Sequence, residues 1–169
     1  QVNPKTTALL YQKAIEIAKF KKTDNVIDAY CGIGTIGISL ASKVNHVYSV
    51  EIVEEAIKNA LENAKINNIE NIDFICEKAE VQIVKWAQEG LKIDAIVVDP
   101  PRKGLDLVFM DTVASMNIPK IIYISCDVST LSRDLKHLKE LGYTVGTVYP
   151  VDMFPNTMHV ENVVKLERK

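Results

Sequence analysis

The fold is decided by the stretch Asn25-Val26-Ile27-Asp28-Ala29-Tyr30-Cys31-Gly32-Ile33-Gly34-Thr35-Ile36-Gly37. A short apolar run ends in a Gly-x-Gly-x-x-Gly turn, and an amphipathic stretch from Thr35 to about Lys43 follows. Strand, tight turn and helix in that order are the context this glycine pattern requires. Lacking Cβ, glycine takes positive φ and lets the backbone approach a ligand closely. On both sides of this stretch, short runs rich in Val and Ile alternate with longer helical patterns. Strands are predicted over 25–29, 46–50, 71–76, 93–98 and 120–125. Helices are predicted from Asn3-Pro4 to about Lys19 and over 35–43, 53–67, 80–89, 105–116 and 129–141. The first should bury Leu9, Leu10, Ala14, Ile17 and Ala18. Two final strands, 143–151 and 159–166, leave no room for a helix between them and should pair antiparallel at one edge. The expected fold is α/β: a mostly parallel, seven-stranded Rossmann-like sheet with helices on both faces and an antiparallel edge hairpin.

The rest of the composition narrows the classes. At 169 residues, 47% hydrophobic and 25% charged, the chain suits one globular domain and excludes a disordered, collagen-like or coiled-coil protein. No apolar run approaches the ~18 residues of a membrane span, and no charged-then-apolar leader marks export. Twenty Lys and Arg against 22 Asp and Glu give a net charge of −2, which does not announce a nucleic-acid partner. A local basic rim or another domain could still supply phosphate contacts. Cys31, Cys76 and Cys126 are isolated, with no Cys-x-x-Cys pair and no metal-ligand spacing. They are expected to be reduced thiols in a cytoplasmic protein that holds no metal. For any one of them the commonest fate is a small buried hydrophobe.

In open α/β sheets a ligand binds beyond the carboxyl ends of the strands. Asp28 and the glycine turn, Glu51, Asp99-Pro100-Pro101-Arg102-Lys103-Gly104 and Ser125-Cys126-Asp127 all fall there. Any one of these is an ordinary polar loop end, and their shared edge is the stronger signal. Glu51 follows Gly32 by about 20 residues, where a carboxylate accepts hydrogen bonds from both ribose hydroxyls. The ligand is then an adenosine-type cofactor, a nicotinamide dinucleotide or S-adenosylmethionine. Asp28 favours the second. It can meet the amino-acid ammonium of S-adenosylmethionine, whereas a pyrophosphate would repel it. Asp99-Pro100-Pro101 points the same way, because it resembles the Asp/Asn-Pro-Pro signature of class I methyltransferases that act on nucleobases.

Five segments together resemble the RNA uracil-5-methyltransferases. They are Gln1-Val2-Asn3, Asp28-Ala29-Tyr30-Cys31-Gly32-Ile33-Gly34-Thr35, Asp99-Pro100-Pro101-Arg102-Lys103-Gly104, Ser125-Cys126, and Asp152-Met153-Phe154-Pro155-Asn156-Thr157-Met158-His159-Val160-Glu161. The resemblance spans the whole chain. Two details depart from the family: Asp127-Val128 stands where Asn-Pro is usual, and Leu131-Ser132-Arg133-Asp134 replaces Leu-Ala-Arg-Asp. The resemblance implies a class I methyltransferase fold, S-adenosylmethionine as cofactor, and RNA, transfer or ribosomal, as partner. It implies that residues 1–169 are the catalytic domain of a longer, monomeric protein whose relatives carry further RNA-binding domains. Cofactor contacts would come from Gln1, Asp28, Tyr30, Gly32, Gly34, Glu51 and Asp99.

Carbon 5 of uracil is a poor nucleophile until a thiolate adds at carbon 6, so the implied chemistry is covalent. Cys126 is the candidate nucleophile, its thiolate expected to be helped by the amino terminus of the next helix. Asp99 would hold the uracil edge, and Glu161 would remove the carbon-5 proton by resemblance. Gln1 and His159 would touch the substrate, and Arg102, Lys103 and Arg133 would meet phosphates. Taken alone, Glu161 reads as an exposed strand acid, His159 as a structural histidine and the three cations as solvated helix caps. Two competing readings remain. One is an amino-methyltransferase that uses Asp99-Pro100-Pro101 on a purine amine and needs no thiol. The other is a non-catalytic cofactor- or RNA-binding module, against which Cys126, Asp99 and Glu161 in one chain argue.

Overall fold

The structure, a computed structural model, describes residues 4–153 and 160–169. Seven strands form one sheet in the order β3-β2-β1-β4-β5-β7-β6. The strands are β1 (Asn25–Ala29), β2 (His46–Glu51), β3 (Ile72–Cys76), β4 (Ala95–Val98), β5 (Lys120–Ser125), β6 (Tyr143–Val151) and β7 (Glu161–Arg168). The helices are α1 (Pro4–Ala18), α2 (Thr35–Ala41), α3 (Glu54–Ile66), α4 (Ala79–Gln88), α5 (Leu107–Ser115) and α6 (Val128–Glu140). β1 to β5 run parallel. β6 and β7 pair antiparallel, as the absence of a helix between them predicted, and β7, not β6, is the strand that lies antiparallel against β5. No described helix is long and apolar enough to cross a membrane.

Consecutive side chains of a strand point to opposite sheet faces, and both faces here are covered. Val26, Ala95, Val97, Ile122 and Ile124 pack with Leu10, Ala14 and Ala18 of α1 and Ile36 and Leu40 of α2. Ile27, Ile96, Val98, Ile121 and Tyr123 pack on the other side with α4, α5 and α6, around Ile83, Trp86, Phe109 and Leu138. This two-sided burial is why β4 and β5 read as unbroken apolar runs. Each fully buried Ile or Val adds about 1.5–3 kcal/mol of hydrophobic stabilisation before its entropy cost. Leu9, expected on the buried face of α1, is 59% exposed, whereas Thr7, Leu10, Ala14 and Ala18 form the buried stripe.

Several boundaries move by a residue or two, for capping reasons. α5 starts at Leu107, not Leu105, because Asp106 is its N-cap and accepts from the Val108 amide at 2.8 Å. α6 starts at Val128 because Asp127 caps it, accepting from the Thr130 amide at 2.9 Å. β7 starts at Glu161; position 159, the predicted start, lies outside the described residues.

Candidate active site

The strand alternation that builds the core also aims the site. Val97, Ile124 and Val163 are buried on the α1–α2 side of the sheet. Two residues along from each, past the end of β4 or β5 or at the start of β7, stand Asp99, Cys126 and Glu161. The β5–β7 register pairs Ser125 with Asn162, so one further step sets Cys126 opposite Glu161. The three side chains therefore converge on one corner, and their electrostatics show it. The charge of Glu161 raises the Asp99 carboxyl, and the charges of Glu161 and Asp99 both disfavour a thiolate at Cys126.

Burial is the largest influence on each of the three. It lifts Asp99 to about 7, with Glu161 adding to the rise and a hydrogen bond from the Tyr11 hydroxyl opposing it. Burial also raises Glu161, which is only 7% exposed. The Cys126 thiol is likewise held above the ordinary cysteine range by burial and then by Glu161, while Arg102 pulls it down. The expected help from the α6 amino terminus is thus outweighed. Asp127 occupies the N-cap and already takes the Thr130 amide, and the thiol faces two carboxylates.

Two clefts open beside this corner, and Asp99 and Tyr30 line both. One, of about 980 Å³, runs between α1 and α2 past Tyr11, Gln12, Gly32 and Thr35. The other, of about 340 Å³, lies among Val50, Glu51, Ile52, Ala79, Pro101 and Lys103. Glu51 is held rigidly at its mouth. One carboxylate oxygen accepts from the Gly32 amide at 3.1 Å, the other from Ile52 and Val53 at 2.9 and 3.0 Å. Gly34 carries the turn with φ of 82°, and a Cβ there would lie 2.9 Å from the Phe74 ring and 3.2 Å from Ala60, so the turn closes only with glycine. Tyr30 also has a positive φ, 64°, which costs a side-chain-bearing residue energy and sets its ring at the junction of the clefts.

Other candidates sit elsewhere. Asp28 is fully buried; it accepts from the Gly37 amide of α2 at 2.8 Å and supports the turn from beneath instead of facing either cleft. Arg133 turns inward onto Asp134 and the loop after β4. Arg102 and Lys103 are exposed, and Lys103 lines the smaller cleft. Gln1 and His159 lie outside the described residues. Tyr11 is the site residue that sequence reasoning missed. The only available signal is its position beside Leu10 on the buried stripe of α1, which does not tell a site tyrosine from a packing one.

The donor set suits an adenosine cofactor. A carboxylate fixed by three backbone amides offers paired acceptors for a diol, Val50, Ile52 and Ala79 offer an apolar slot for a ring, and space stands open above Gly32. A family model described as tRNA (uracil-5-)-methyltransferase matches residues 1–169. An uncharacterized RNA methyltransferase of Bacillus cereus is 52% identical over 168 residues, 99% of this chain and 36% of that protein. One of Clostridium tetani is 51% identical over 97% of this chain and 36% of its own length. The crystal structure of Pyrococcus abyssi tRNA (uracil-54, C5)-methyltransferase, in complex with S-adenosyl-L-homocysteine, superposes with a TM-score of 0.77 at 30% identity, covering 94% of this chain and 38% of that one. The chain thus spans between a third and two fifths of the length of these relatives.

Proposed function

The chain belongs to the tRNA (uracil-5-)-methyltransferase family, and on that premise we propose that it methylates carbon 5 of a uridine in RNA with S-adenosylmethionine, through a transient bond between Cys126 and the base. The convergence of Asp99, Cys126 and Glu161 on one corner carries this reading, because a purine amino-methyltransferase has no use for the thiol.

Glu51 would hold the ribose hydroxyls and Gly32 and Tyr30 the adjoining backbone and ring face. Asp99, which lines both clefts, takes over the ammonium contact expected of Asp28, whose buried place leaves it the role of bracing the turn. Asp99 also stands where a uracil edge would meet it, steadied by Tyr11. When bound, S-adenosylmethionine supplies an electrophilic methyl group. The chain's own residues do the rest. The Cys126 thiolate adds to carbon 6, and the ring electrons move towards carbon 5 and oxygen 4, which makes carbon 5 nucleophilic. After methylation, Glu161 accepts the proton from carbon 5 and the carbon–sulfur bond breaks, returning the thiolate. The raised affinity of Glu161 for protons makes its carboxylate a stronger base for that step, and the proton is released to solvent before the next turnover. The target base must leave its stack to reach this recess.

The direct test is the product. The intact protein, incubated with S-adenosylmethionine and unmodified transfer or ribosomal RNA transcripts, should yield 5-methyluridine in nucleoside mass spectrometry. An N-methylated purine instead would favour the amino-methyltransferase.

A further inference from the structure

The loop that carries Asp99 is tied to the helix that follows Cys126 by a buried polar knot. Asp134, on α6, is fully buried. One of its oxygens accepts from the Leu105 amide at 2.8 Å and from the Tyr123 hydroxyl at 2.7 Å. The other receives the Arg133 guanidinium through Nε at 2.8 Å and Nη2 at 2.7 Å. Arg133 Nη2 also donates to the Lys103 carbonyl at 2.8 Å and reaches the Leu105 carbonyl at 3.4 Å. Gly104, between these carbonyls, has φ of 76°, and a Cβ on it would come within 2.5 Å of Asp134 and 2.7 Å of Arg133. The loop backbone thus lies directly on the pair.

We propose that Arg133 and Asp134 form a positioning clamp that fixes the Asp99 loop against the Cys126–α6 segment, and that Arg133 serves this clamp instead of an RNA phosphate. The clamp spans the two pieces of chain whose separation matters most. One end holds residues 103–105, just beyond Asp99-Pro100-Pro101; the other sits on α6, whose cap follows Cys126 directly. A third tie, Tyr123, comes from β5 only three residues before Cys126. Only a guanidinium can do this, because its planar fork meets a carboxylate through two nitrogens while still reaching two carbonyls. An ammonium offers charge without the fork.

The inference rests on the uracil reading for the identity of the substrate, not for the clamp itself. It is tested in the intact protein with Arg133→Lys and Arg133→Gln. Because the Arg133 side chain is 56% exposed, both variants should fold. Asp134→Asn is the harsher partner variant. The readouts are kcat and KM for methyl transfer to RNA, the salt dependence of KM, and hydrogen exchange at the Gly104 and Leu105 amides. A misplacement of the order of 1 Å at reacting groups costs up to about a hundredfold. The clamp therefore predicts kcat lower by about 10- to 100-fold in both Arg133 variants, KM and its salt slope unchanged, no rescue by lysine, and faster exchange at Leu105. A phosphate contact predicts the reverse: Arg133→Gln raises KM and lowers the salt slope by about one, and lysine restores both. That result, or unchanged exchange at Leu105, overturns the clamp. If the wild-type product is not 5-methyluridine the uracil reading falls, while the kcat and exchange comparisons still decide the clamp.

Discussion

A thiol facing two carboxylates resists ionisation, and Cys126 is in that position. Only the thiolate attacks carbon 6, so adduct formation should rise with pH, by nearly tenfold per unit while the thiol is mostly protonated. Among the described residues Arg102 is the cation that favours the thiolate, so Arg102→Ala should slow adduct formation at neutral pH and lose that handicap in alkali. Stopped-time adduct assays across pH check both outcomes. Asp28 gives a second residue-scale prediction. Burial lifts its carboxyl to about 7, with Asp99 and Glu51 adding repulsion and the Gly37 amide opposing. An unfolded aspartate titrates near about 4. The stability this group contributes is therefore complete below about pH 4 and is lost as pH rises through about 7, when a charge is forced into the sealed site. Asp28→Asn keeps an acceptor for Gly37 and removes the titration, so the drop in Tm between about pH 5 and pH 8 should shrink. At this scale a residue's place was legible where the end of an apolar run fixes it, as for Cys126, Asp99 and Glu51 at the ends of β5, β4 and β2. It was not legible where the role depends on a partner far along the chain. Tyr11 reads as one more apolar-stripe residue until α1 is seen to cross Asp99, and Arg133 reads as a surface cation until it turns onto Lys103 and Leu105.

The elements follow from periodicity and caps. Apolar runs placed the central strands, because two-sided burial leaves little room for a polar residue, as in Ile121-Ile122-Tyr123-Ile124. Helix starts were less legible, since Asp106 and Asp127 act as caps only once the preceding loop has a fixed shape. Ile122 is fully buried under α1 and α2, so Ile122→Ala should cost about 2–5 kcal/mol in denaturant unfolding. Gly34→Ala forces a side chain against Phe74 and keeps a positive φ, a backbone strain of roughly 1–3 kcal/mol. Since the same turn lines the larger cleft, where the cofactor is proposed to bind, calorimetry on this variant should also show weaker S-adenosylmethionine binding. Glu51→Ala should weaken that binding without a comparable loss of stability, because Glu51 is braced by amides at the cleft mouth and carries no core packing.

Across the molecule, the order β3-β2-β1-β4-β5-β7-β6 is what turns separate motifs into one site. β1 and β4 are neighbours, so the glycine turn and the Asp99 loop share a cleft wall, and the inserted β7 brings Glu161 back to Cys126. That last juxtaposition was implied by resemblance alone; strand patterning pairs β7 with β6 but does not set it beside β5. A net charge of −2 supplies no general attraction to phosphate, so residues 1–169 by themselves should bind RNA weakly in anisotropy titrations. On the proposed mechanism, Cys126 and Glu161 act on one uracil at different steps. Peptide mass spectrometry on the intact protein, incubated with S-adenosylmethionine and RNA containing 5-fluorouridine, tests it most directly, because fluorine at carbon 5 blocks proton removal. The expected result is a methylated fluorouridine adduct on Cys126 in the wild type, none in Cys126→Ala, and an adduct on ordinary uridine RNA in Glu161→Gln. Methyl transfer by Cys126→Ala, or an adduct mapped to Cys31 or Cys76, would contradict it.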